Sequence, residues 1–158
     1  MSAGDKLHAL LRTCEADEQN AAREFSMLQG VLEERQAKLQ ALNRQRGELL
    51  EKLAGLDLER KSGGPNSSSG KAVSSITSYT KRLTVQIEKL EDTIQESAVD
   101  VARAEQRCGI AEEELIEARI EKKKIEKLIS GREQVERNTQ QAREEVSNDE
   151  LSSGKHRK

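Results

Sequence analysis

The 158-residue chain contains one proline, one phenylalanine, one tyrosine and no tryptophan. So few aromatic side chains exclude a thick globular core of the kind that encloses an active-site cavity. Its two cysteines, Cys14 and Cys108, have no Cys or His partner at metal-ligand spacing, so each is expected to be a small packed residue. The two histidines, His8 and His156, stand near opposite ends and form no catalytic pairing. No nucleophile–base–acid set or metal cluster is present, so no catalytic, metal or cofactor-binding residue is expected and the chain is not expected to be an enzyme. No apolar run approaches the length of a membrane span, and MSAGDKLHALL lacks the basic-then-apolar order of a secretory signal. The expectation is a cytoplasmic protein without membrane insertion. Twenty-seven basic and 29 acidic residues leave a net charge of −2, which gives no broad attraction for nucleic acid or an anionic membrane.

What the chain does have is charge, at 35% of residues, together with a strict order in its apolar residues. Alternating steps of four and three from Leu7 reach Leu11, Cys14, Glu18, Ala21, Phe25, Leu28, Leu32, Arg35, Leu39, Leu42, Arg46, Leu49, Leu53, Leu56 and Arg60. Twelve of these sixteen are apolar, a sustained heptad pattern that specifies a coiled-coil helix. A second series runs from Ile76 through Thr80, Leu83, Ile87, Leu90, Ile94, Ser97, Val101, Ala104, Cys108, Ala111, Leu115, Ala118, Lys122 and Ile125 to Ile129. Thirteen of its sixteen members are apolar, and both cysteines fall on a seam. Glu, Lys, Gln and Arg fill most other positions, favouring helix and keeping the outer face hydrated.

Continued past Arg60, the first series meets Gly63, Ser67, Gly70, Ser74 and Thr77, out of phase with the second. The stretch between them, SGGPNSSSGKAVSS, superficially resembles a phosphate-binding loop. Five residues rather than four separate Gly64 from Gly70-Lys71, Ala72 replaces the metal-binding hydroxyl, and the preceding LDLERK is no buried strand. Nucleotide binding is therefore excluded in favour of a chain reversal, with Gly63-Gly64-Pro65-Asn66 as helix stop and turn. The expected fold is all-α: a long antiparallel two-helix coiled-coil hairpin with the second helix overhanging. Its segments are a first helix over 1–61, a Gly/Pro/Ser-rich loop over 62–74, a second helix over 75–147 and a flexible basic tail over 148–158. Its paired part is roughly 80 Å long at 1.5 Å per residue.

Setting Leu56 beside Ile76 brings Leu7 level with about Ile125, so the second helix continues alone after about Ile129. There the seam decays through Arg132, Glu136, Thr139 and Arg143. Such an end is either frayed or ordered by a partner. In the same register Cys14 faces roughly residue 118, too far from Cys108 for a disulfide. Arg35, Arg46 and Lys122 occupy core positions, from which long basic chains snorkel outward and fix register. The run Lys122-Lys123-Lys124, with Lys127 and Arg132, is the densest basic patch.

A rod without chemistry acts by contact, as spacer, chaperone or mechanical coupling. The order of segments narrows this. KLHALLRTCEADEQNAAREFSMLQ, a polar break, SSITSYTKRLTVQIEKLEDTIQE, EARIEKKKIEKLISGREQ and a late Asp149-Glu150-Leu151 before a basic tail resemble the FliJ family of flagellar export proteins. The YscO-type proteins of virulence-associated type III secretion share the layout, and EARIEKKKIEKL leans toward the flagellar branch. The resemblance implies a non-catalytic central stalk that enters the pore of the hexameric export ATPase, promotes its assembly and activity, and couples it to the export-gate membrane protein. It also implies escort of export chaperones or substrates, and a peripheral position at the membrane-bound apparatus. Carried onto this chain, the ATPase-contacting residues are Lys6, Arg12, Lys122, Lys123, Lys124, Lys127 and Arg132, with gate contacts nearer the hairpin loop. The alternative is a generic scaffold acting as a parallel homodimer, which would align two Gly/Ser-rich gaps.

Overall fold

The computed structural model describes residues 2–62 and 70–155, with the backbone alone at 62, 70–73 and 155. Two α-helices make up the described residues: α1, Ala3–Ser62, and α2, Gly70–Lys155. A capping box starts α1, the Asp5 N–H donating to Ser2 Oγ at 3.2 Å and the Ser2 N–H to Asp5 Oδ2 at 3.3 Å. Arg60 and Lys61 in its last turn complement the negative end of the helix dipole. Residues 63–69 of the expected loop lie outside the described residues. The second helix starts at Gly70 rather than about Ser75, because Lys71 and Ala72 are themselves strong helix formers. It also runs through the stretch expected as tail as far as Lys155. No proline interrupts it there, and Glu150 and Leu151 favour helix.

The helices pair antiparallel as a coiled-coil hairpin: Arg35 meets Asp100 while the later Arg46 meets the earlier Glu91. Contacts group into two units, Ser26–Ile110, and Met1–Phe25 with Ala111–Lys158.

In the Ser26–Ile110 unit, Leu83, Ile87, Ser97, Val101, Ala104 and Cys108 of α2 are buried. The seam leucines of α1, Leu28, Leu32, Leu39, Leu42, Leu49 and Leu53, are only half-buried. On α2 the large Leu83 and Ile87, at 3% and 6% exposure, are buried as fully as the small Ser97 and Ala104, at 4% and 7%. Arg46 leaves the seam and donates from Nε to Glu91 Oε1 at 3.2 Å, and Arg35 lies 3.6 Å from Asp100. In the register that sets Leu56 beside Ile76, Arg46 is level with Gln86, whereas its partner lies a turn further along α2. Side chains lean toward the N-terminus of their own helix. In an antiparallel pair, residues that touch therefore carry higher numbers than residues lying side by side.

A Cβ built on Gly47, inside α1, meets no atom within 4 Å. Replacing this glycine by alanine removes a backbone entropy cost without a clash. Gly47→Ala is expected to stabilise the chain by about 0.5–1 kcal/mol, read as a higher midpoint in urea at unchanged m-value.

In the other unit, Ala111 and Leu115 are buried, at 3% and 5% exposure, against half-buried Leu7, Leu11, Cys14, Ala21 and Phe25. Both cysteines of the chain are free thiols. Ser2, Gly4, Asp5, Leu7 and His8, at the start of α1, line a shallow groove with Ile129, Arg132, Glu133 and Glu136. Beyond Glu136, α2 continues to Lys155 with every described side chain exposed, an overhang of roughly 28 Å at 1.5 Å per residue. Among the described residues, no helix is long and apolar enough to cross a membrane.

Candidate partner-binding surface

The seven basic residues singled out by the resemblance all fall in the unit formed by Met1–Phe25 and Ala111–Lys158. They do not share one environment. Lys122, at a seam position of α2, is half-buried and turned toward α1, where its Nζ lies 3.0 Å from Glu18 Oε2. The same carboxylate receives Arg119, at 3.6 Å, and Glu126 flanks the lysine at 4.0 Å. One acid thus bridges two cations on the facing helix, so Lys122 serves the packing of the hairpin.

Lys124 pairs with Glu121 at 3.1 Å one turn back, and Arg132 with Glu136 at 3.5 Å one turn on. These are exposed pairs within one helix, weak and easily exchanged for contacts to another molecule. Lys6, Arg12, Lys123 and Lys127 are exposed and make no ion pair among the described residues. Arg12 borders an open groove with Asp5, His8, Glu15 and Ile129. Among the described residues, no group of three or more His, Cys, Asp or Glu is placed to hold a metal ion.

Glu18 and Arg119 were not singled out by the sequence. The signal lay in the heptad series themselves. Glu18 is the acidic exception in the first and Lys122 the basic exception in the second, so two opposite charges at core positions called for each other.

The hydrogen bond from Lys122, aided by its charge and that of Arg119, holds the Glu18 carboxyl below the usual carboxylate value against a contrary effect of burial. Reciprocally, Glu18 raises the Lys122 ammonium above the usual lysine value. The depressed acid contributes stability above its unfolded pKa and loses it as pH falls through the folded one; the raised base contributes below its unfolded pKa and loses it as pH rises through its folded one. The pair is therefore complete from mildly acidic to mildly alkaline pH. Glu18→Gln should melt slightly below the wild-type chain across that window, and the two melting curves should converge in acid below the ordinary carboxylate range. Convergence already at neutral pH would show that the pair contributes nothing.

The family model described as "Flagellar FliJ protein" matches residues 2–158. No curated protein matches the chain, and no solved structure does.

Proposed function

Because this chain belongs to the FliJ family of flagellar proteins, we propose that it is the non-catalytic central stalk of a bacterial protein export apparatus. In this reading the open end of the hairpin, with the overhang of α2, enters the pore of the hexameric export ATPase, promotes ring assembly and hydrolysis, and couples the ring to the export-gate membrane protein. The chain works in the cytoplasm at the membrane-bound apparatus and escorts export chaperones or substrates.

The observation that carries the reading is the family match over residues 2–158. The hairpin is consistent with it. A shaft working among successive subunits needs a face of weak, exchangeable contacts rather than one deep socket. Lys6, Arg12, Lys123, Lys124, Lys127 and Arg132 supply exposed cations of that kind, and Lys122 joins them through the base of the patch. The parallel-homodimer scaffold has less support, since each helix already has its antiparallel partner within the chain, as Arg46 with Glu91.

The test is the rate of ATP hydrolysis and the degree of ring assembly of the cognate export ATPase, measured with and without this protein. Both should rise on its addition. Unchanged hydrolysis, unchanged assembly and no complex would together end the stalk reading; substrate binding without any effect on the ATPase would leave a chaperone alone.

A further inference from the structure

The side of α2 turned away from α1 carries a second, shorter heptad series within Ala111–Lys158. Glu113, Ile116, Ile120 and Lys123 follow at steps of three, four and three, which places them on one helix face. All four are exposed, and both isoleucines stand 47% exposed. The charges on either side of them are segregated: Glu112-Glu113-Glu114 precede the isoleucines and Lys122-Lys123-Lys124 follow.

This arrangement is symmetric about the level of Ala118. Ile116 and Ile120 lie two residues to either side, Glu117 and Arg119 one, Glu113 and Lys123 five. Reversing the helix therefore exchanges acid for base and isoleucine for isoleucine. A second copy laid antiparallel across this face sets Ile116 on Ile120 twice and Glu113 opposite Lys123 twice. A parallel copy would set Glu113 on Glu113 and Lys123 on Lys123. Glu113 and Lys123 have no ion pair within the chain among the described residues, so neither must first be released.

We propose that the outward face of α2 around Ile116 and Ile120 is a self-association site, joining two copies of this chain in a two-fold antiparallel dimer. A contact of a few turns with charges at its rim belongs to the weak, reversible class of interfaces, and its attraction falls with salt. The dimer covers Lys123, so a chain held in it is a reserve form that cannot offer that residue to another partner. The proposal stands on this face alone and not on the stalk reading. Its test contains no ATPase, so the two can fail separately.

Sedimentation equilibrium of the full chain, at low and high salt, tests it with Glu113→Lys and Lys123→Glu. Wild type should show mass rising with concentration at low salt and less so at high salt. Each variant, helical by circular dichroism, should associate about tenfold or more weakly, because the change is felt twice across the two-fold axis. An equimolar mixture of the two variants should recover association, since every facing pair is again opposite in charge. A wild type that stays monomeric, single variants that dimerise as well as wild type, or a mixture that fails to recover would each overturn the proposal. Dimers indifferent to both substitutions would place self-association on another face.

Discussion

Removing residues 137–158 is expected to abolish stimulation of the export ATPase while leaving the melting temperature of the hairpin within about 2 °C of the intact chain. The two halves of this expectation have separate physical grounds. Stability in a two-helix coiled coil comes from the seam, and the described side chains beyond Glu136 are all exposed, so their removal uncovers no packed apolar surface. The overhang nevertheless carries Val146 and Leu151, exposed at 58% and 64%. Its Thr139, Ala142, Val146 and Glu150 line one shallow groove. A helical segment without intramolecular support is the part of the molecule with most to gain from a partner. If the truncated protein stimulates hydrolysis as well as the intact one, the contact lies elsewhere. If it fails to fold, the seam has been misplaced.

The second large effect is on stability. Leu115→Ala should cost about 2–4 kcal/mol, because a leucine buried at 5% exposure leaves both lost transfer energy and a cavity. Leu128→Ala, next in sequence to the seam residue Ile129 but itself 57% exposed, should change stability by less than about 0.5 kcal/mol. The contrast matters more than either value, since both positions are leucines on the same helix. Chemical denaturation followed at 222 nm measures it. Equal losses would mean that burial along α2 does not decide stability.

The comparison of these two leucines also shows what was legible in the sequence. Every member of the heptad series from Ile76 to Ile129 is buried or half-buried, and so is every member of the first series except Arg35 and Arg60. Periodicity located the seam because one residue in three or four must meet the partner helix or remain in water. The antiparallel hairpin followed from the phase break at Gly63–Asn66, since two series out of step cannot lie on one straight helix. Helix ends were less legible: Lys71-Ala72 and Glu150-Leu151 carry helix propensity that local turn signals outweighed on paper. The basic patch was visible as a run, with Lys122 set at a core position by the heptad series, but the ion-pair partners of its members were not. Composition treats Lys122, Lys123 and Lys124 alike, whereas the helix turns each about 100° from the last, sending Lys122 to Glu18, Lys123 outward and Lys124 toward Glu121.

The stalk account is tested most directly by site-specific photo-cross-linking in the assembled export apparatus. A photoreactive residue placed at the exposed Val146 of the overhang should give an adduct with the export ATPase. The same residue at Tyr79, 42% exposed near the start of α2, should give one with the export-gate protein instead. An ATPase adduct from position 79 and none from position 146 would contradict the account.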